Sequence, residues 1–287
     1  MGDDRDLADE LILHTRTLRL AAKAWGPEDG VKVLALHGWL DNAASFDRLA
    51  PLLEQARVVA LDLPGHGLSE ARPPGCAYHF IDSVADVLGA GEALGWERFV
   101  LLGHSMGAGI ASLVPAAAPD RVSRLVLVEG LGPLSAPAAE VVEGLAASLA
   151  MEWKGLAPKG RVFPSLDDAV AARLARSDLD RDSARLLVER GTAGCDGGLH
   201  FTHDPRLKLR SRLRLTEEQV LAFLSAIPCP VMAIKATRGW PFPEDATATR
   251  LAAIPQLEQV VLDGGHHLHL SDAESVAQVV KAFIGPS

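Results

Sequence analysis

Short unbroken apolar runs recur along the chain, separated by polar and glycine-rich turns. VKVLAL (Val31–Leu36), RVVAL (Arg57–Leu61), FVLL (Phe99–Leu102), LVLV (Leu125–Val128), VMAI (Val231–Ile234) and QVVL (Gln259–Leu262) lack the alternation of a half-exposed strand. They read as strands buried on both faces. Leu11–His14 and Leu18–Ala24 read as an opening antiparallel pair. Helical patterns lie between the runs, over Ile81–Leu94, from about Met106, and over Glu274–Ile284. Strand and helix in alternation predict an α/β protein with a mostly parallel sheet flanked by helices. From Leu131 to Ile227 the strand-like runs thin out. Pro133 and Pro137 mark an exit from the pattern, and Pro228 and Pro230 a re-entry. The expected organisation is a core of residues 1–130 and 228–287 with a helical lid, 131–227, inserted after the strand that ends at Glu129. Such an insertion would cover the carboxyl ends of the strands, where open α/β sheets bind ligands.

Composition narrows the function. The 287 residues suit one large domain with an insertion. Acidic residues outnumber basic ones, 37 to 28, for a net charge of -9. That disfavours nucleic acid as a partner, which calls for a basic patch, and an anionic membrane surface. No apolar run is long enough to cross a bilayer. The opening MGDDRDLADE has no basic segment leading into an apolar one, so no export signal is expected. Cys76, Cys195 and Cys229 are odd in number and scattered. They fit reduced packing thiols of a cytoplasmic protein and not a disulfide frame or zinc site.

Three turns carry candidate chemistry. Gly103-His104-Ser105-Met106-Gly107 follows a strand and opens a helix of small residues. A serine there, between glycines that permit a very tight turn, is placed as a nucleophile. The helix N-terminus favours negative charge developing beside it. His37-Gly38-Trp39 follows the first parallel strand. The backbone amides of Trp39 and Met106 are the candidate oxyanion donors. Near the C-terminus, GGHHLHLSD offers the imidazole that a serine nucleophile needs. His266, directly after the glycines, is preferred over His267, and His269 is expected to pack or cap nearby. No HExxH spacing or accompanying cysteine points to a metal. His37, and His66 in the turn DLPGHG (Asp62–Gly67), read as structural.

At these motifs the chain resembles the α/β-hydrolase superfamily over nearly its whole length. Within it, AAKAWG (Ala21–Gly26), HGWLDNAASFDRL (His37–Leu49) and RGTAGCDGGLHFTHDPRLK (Arg190–Lys208) are similar to the serine hydrolase-like proteins, a carboxylesterase-type branch. The resemblance implies a lidded serine hydrolase without a cofactor. It also exposes a departure. Many superfamily members carry the catalytic acid in a turn after the strand that follows the lid. Here that segment reads VMAIKATRGWPFPED, with Gly239 at the expected position.

The acid must accept from the second ring nitrogen of the histidine. Glu129, at the end of the strand next to the nucleophile strand, is the leading candidate. Some superfamily members place their acid there. Glu244 or Asp245 are the alternatives, and Asp263 a further one. The resulting expectation is cleavage of small-molecule carboxylic esters through an acyl-enzyme on Ser105, with His266 as base and Glu129 as acid. Lactone, thioester or amide hydrolysis, or perhydrolysis, on the same residues stays open, as does a non-catalytic ligand-binding role for the fold. Trp153, Phe201 and Trp240 are candidate pocket-lining residues. The oligomeric state is left open.

Overall fold

A computed structural model describes residues 8–155 and 161–285. The first seven and last two residues of the expected core, and residues 156–160 of the expected lid, lie outside the described residues. An eight-stranded sheet organises the rest. Its strands are β1 (Asp9–His14), β2 (Arg19–Trp25), β3 (Val31–Leu36), β4 (Ala56–Leu61), β5 (Phe99–His104), β6 (Val122–Val128), β9 (Val231–Arg238) and β10 (Leu257–Gly265). They lie in the order β1-β2-β4-β3-β5-β6-β9-β10. β1 pairs antiparallel with β2, and β2 with β4; every later pairing is parallel.

The unbroken apolar runs follow from two-sided burial. In β6, Leu125 and Leu127 enter the core layer on one face, and Val126 and Val128 the layer on the other. β3 divides in the same way, with Leu34 and Leu36 on one side and Val33 and Ala35 on the other. The first layer is completed by α1 (Ser83–Ala93), α2 (Met106–Ala111) and α3 (Val114–Ala117). The second is completed by α10 (Ala273–Ile284) and the short helical turns around Phe46 and Leu52. α10 buries Ala273, Val276, Ala277, Val280 and Ile284, the one-sided stripe of a surface helix. β9 and β10 run three or four residues beyond their apolar segments. The pairing continues through Lys235 and Ala236 as far as Arg238 and Gly265, and β10 is the edge strand of the sheet.

Between β6 and β9 the chain leaves the sheet and forms α4 (Val141–Trp153), α5 (Leu166–Leu174), α6 (Arg181–Arg190), the hairpin β7 (Thr192–Cys195) and β8 (Gly198–Phe201), and α7 (Glu217–Ser225). Ser165, Asp180 and Thr216 cap α5, α6 and α7 through their side-chain oxygens. Two features differ from a purely helical lid. The hairpin is one; it turns on Asp196-Gly197, with Gly197 at φ 87°. The other is α7. Its Val220 and Leu224, four residues apart, are fully buried in the first core layer beside Leu125 and Val231, so this helix packs as part of the core. The remainder has a small core of its own (Phe163, Ala169, Val170, Leu179, Ala184, Leu187, Val188), which meets the main body through Leu270 of α9 (Leu268–Ser271).

An ion pair at the C-terminal end of α6 ties this inserted segment to the sheet. Asp62, at the end of β4, is fully buried and accepts from the amides of Ala43 and Leu68. Arg190 Nε donates to both Asp62 oxygens, at 3.1 and 3.0 Å, while its Nη1 reaches Glu10. A side chain at Gly67 would collide with the Asp62 carboxylate, which accounts for the second glycine of DLPGHG. Removing one partner of a buried pair leaves the other charge stranded. Arg190→Met is therefore expected to destabilise the fold by about 3–5 kcal/mol in urea unfolding. A loss below about 1 kcal/mol would show that the pair does not hold the two parts together.

Candidate active site

The carboxyl ends of five neighbouring strands meet at one place. β5 delivers Ser105, with φ 53° and ψ -114°, a strained conformation for a residue with a side chain. The glycines around it are sterically required. A Cβ at Gly103 would strike the backbone of Gly107 and Ala108, one at Gly107 the carbonyls of Leu36 and His37, and one at Gly130 the carbonyl of Ser105. The close approach at Gly107 sets the start of α2 against the end of β3, and so beside the turn that carries Trp39. Among the described residues, neither the Trp39 nor the Met106 amide N–H has a hydrogen-bond acceptor.

β10 delivers His266. Its Nε2 lies 2.9 Å from Ser105 Oγ, and its Nδ1 lies 3.0 Å from Oε2 of Glu129. Glu129 follows β6, is 4% exposed and has φ 53°. Its Oε1 accepts the amide of Ala236 at 2.6 Å, and Oε2 also accepts the amide of Trp240 at 2.9 Å. The carboxylate thus lies over the end of β9. A Cβ at Gly239 would overlap both its oxygens. The missing side chain at Gly239 and the presence of Glu129 are one steric fact: the volume in front of residue 239 holds a carboxylate that arrives from the next strand.

The other carboxylates stand elsewhere. Glu244 and Asp245 open α8 (Glu244–Ala253). Asp263 is exposed and bonded to Thr237 and Arg238. Trp240 places its ring 5.8 Å from that of His266. Phe201 packs edge-on against Phe163 inside the insertion, and Trp153 is 81% exposed at the end of α4. Neither of these two is placed as a wall of the site. An apolar cavity of about 190 Å³ lies beside Glu129, lined in part by Leu131, Leu134, Phe242 and Leu251.

A family model described as alpha/beta hydrolase fold matches residues 32–273. A serine hydrolase-like protein of Danio rerio is 36% identical over 98% of this chain and 90% of its own length. Serine hydrolase-like protein 2 of Homo sapiens is 32% identical over 97% and 94%. The crystal structure of a hypothetical protein from Pseudomonas aeruginosa PAO1 superposes with a TM-score of 0.91 at 42% identity, covering 96% of this chain and 99% of that one. The thioesterase domain from the curacin biosynthetic pathway superposes with a TM-score of 0.83 at 26% identity, covering 96% and 99%. The chain belongs to the α/β-hydrolase fold family. Its similarity to the serine hydrolase-like proteins runs through core and insertion alike, and these relationships support hydrolase activity.

In this hydrolase, a shell of buried histidines surrounds the site. His37 accepts the Leu63 amide at Nε2, and its ring meets that of His66 edge-on. His104 donates from Nε2 to the carbonyl of His266 at 2.9 Å and packs against His269, with ring centroids 3.9 Å apart. His269 in turn meets Ser45 at 2.8 Å. Burial drives His66 and His269 down to about 3, and holds His37 below and His104 well below the ordinary imidazole value. His267 is the exception. Burial opposes its charge, but the hydrogen bond to Asp178 and the nearby carboxylate of Asp41 outweigh that and raise it to about 9. No helix among the described residues is long and apolar enough to cross a membrane.

Asp41, Arg173 and Asp178 also join the site, although no motif in the sequence marks them. All three are ordinary charged residues in polar context, and two belong to the insertion. Only folding brings them to the histidine loop.

These shifts set a window of stability. The neutral buried histidines bind protons more readily when unfolded, so their contribution is lost as pH falls below about 6.5. His267 binds its proton more tightly when folded, so its contribution is full below about 6.5 and lost as pH rises through about 9. Unfolding midpoints measured across pH should peak between these limits and decline on both sides. His267→Gln should flatten the alkaline decline; an unchanged decline would separate it from His267. At Gly239, alanine would force the Glu129 carboxylate off its two amides and away from His266. Gly239→Ala should cut hydrolytic turnover by at least about tenfold, an outcome checked by steady-state kinetics, and turnover equal to that of the parent protein would contradict the packing argument.

Proposed function

We propose that the chain is a carboxylic ester hydrolase that works through an acyl-enzyme on Ser105. The observation that carries this reading is the unbroken line from Ser105 Oγ through the His266 ring to the buried Glu129 carboxylate, with steps of 2.9 and 3.0 Å. His266 Nε2 takes the Ser105 proton as Oγ attacks the ester carbonyl. The carbonyl oxygen, now negative, is received by the Trp39 and Met106 amides, which meet no other acceptor among the described residues. His266 returns the proton to the departing alkoxide. Water, deprotonated by the same nitrogen, then releases the acid and regenerates Ser105. Glu129 keeps the proton on Nδ1 and stabilises the imidazolium between these steps. The inserted segment acts as a lid that shapes the pocket and limits water. The likeness to a thioesterase domain makes acyl thioesters the second substrate class to try.

A fluorophosphonate probe and p-nitrophenyl butyrate test the reading. The folded protein should be labelled at Ser105 alone and should hydrolyse the ester. Ser105→Ala should abolish labelling and lower kcat/KM by at least about 10⁴-fold. A folded protein that is neither labelled nor active on esters or thioesters would refute it.

A further inference from the structure

The His266 ring is held by Ser105 and Glu129, but its peptide group is held by two other residues. The carbonyl accepts from His104 Nε2 at 2.9 Å. The amide N–H donates to Asp178 Oδ2 at 2.5 Å. His104 is the residue before Ser105. Asp178 belongs to the insertion, in the link between α5 and α6. The second oxygen of Asp178 accepts from His267 Nδ1 at 2.5 Å. His267 Nε2 then lies 3.7 Å from Asp41 Oδ2. Asp41 is 2% exposed at its side chain, closes the turn that carries Trp39 by donating its amide to the Gly38 carbonyl, and pairs through its other oxygen with Arg173 of α5.

We propose that Asp178 is a positioning residue: through the His266 amide and the His267 ring, it lets the inserted segment hold the base loop and the Trp39 turn in one fixed relation. The inference rests on the ester hydrolase reading above. Its physical basis is acceptor count. One carboxylate receives two N–H groups from consecutive residues, and His267 spans from it to Asp41. A side chain at Gly265 would collide with the Asp178 carboxylate, so that glycine is the gap through which Asp178 reaches the loop. The insertion grips both ends of the arrangement, with Asp178 at one and Arg173 at the other.

The charges around His267 agree with this. It faces Asp178 from the insertion, Asp41 from the turn after β3, His104 from the end of β5, and His266 and His269 from its own loop, with Arg173 behind Asp41. The bond to His267 lowers Asp178 to about 2, and His267 is raised to about 9. Both are therefore charged through the neutral range, and the link weakens in alkali.

The experiment compares the intact protein with Asp178→Ala, Asp178→Asn, His267→Gln and Asp167→Asn. Asp167 makes only exposed ion pairs in the same insertion and serves as the control. An asparagine at 178 keeps one acceptor but turns a donor toward the second N–H, so it should recover only part of the function. Asp178→Ala should lower kcat for p-nitrophenyl butyrate about ten- to a hundredfold, since displacements near 1 Å at a reacting group cost on that order. KM should stay within about threefold. Asp178→Asn should fall between Asp178→Ala and the parent. In the parent, kcat should fall as pH rises through about 9. In His267→Gln that limb should be absent. Hydrogen exchange should show the His266 amide losing protection in Asp178→Ala while the rest of the sheet keeps it. If Asp178→Ala matches Asp167→Asn in kcat and in exchange, while the parent is labelled and active, this inference alone is overturned. If the parent is neither labelled nor active, the hydrolase reading falls and takes this inference with it.

Discussion

A carboxylate buried at the end of β6 has to be satisfied, and the local structure is arranged around that requirement. Glu129 is 4% exposed, in a place where an unpaired charge would be costly. Two backbone amides, from Ala236 and Trp240, supply its neutral partners, and His266 supplies the third. Those amides belong to the end of β9 and the turn after it, so the Glu129 side chain spans from one strand to its neighbour. The position could not carry a larger residue at 239, nor could Gly130 carry a side chain without striking Ser105. The glycine at 239, the left-handed backbone at Glu129 and the orientation of the His266 ring are consequences of seating one carboxylate.

The second organising element is the inserted segment. Its contacts with the core are more polar than a simple cover would require. Arg190 neutralises Asp62 beneath the DLPGHG turn, Arg173 reaches Asp41 beneath the Trp39 turn, and Asp178 reaches the histidine loop. Each contact fixes a loop at the carboxyl end of the sheet. Apolar packing between the small core of the insertion and the main body is narrower, resting on Leu270. α7 is a different case: its buried leucine and valine make it part of the main body although it lies within the insertion in sequence. Arg250 of α8 ties that helix to the exit segment by donating to the carbonyls of Leu131 and Pro133 and to Glu217.

Much of this was legible beforehand because it follows from steric and burial rules that act locally. The unbroken apolar runs required a sheet covered on both faces, and the spacing of Gly103, Ser105 and Gly107 required a tight strand-to-helix turn. The choice of Glu129 rested on an absence, the glycine at 239, and the structure supplies its physical counterpart in the overlap that a side chain there would produce. What could not be read was set by long-range proximity. Nothing around Asp178 or Arg173 distinguishes them from surface charges until the α5–α6 link folds over the histidine loop. The hairpin at Thr192–Phe201 was hidden for another reason: its strands are four residues each and only partly buried, too short and too polar to show a period. The Asp196-Gly197 turn was its one local sign.

The central claim is that Glu129 works on Ser105 through His266, and not merely as a buried structural carboxylate. The kcat of Glu129→Gln for an ester substrate tests it most directly. Glutamine keeps the shape and one acceptor for the Ala236 or Trp240 amide but cannot hold His266 in the required tautomer as a carboxylate does. The account predicts a fall of about 10³–10⁴-fold in kcat with the fold retained, while Asp245→Asn stays at the parent value. A Glu129→Gln protein within about threefold of the parent would contradict it.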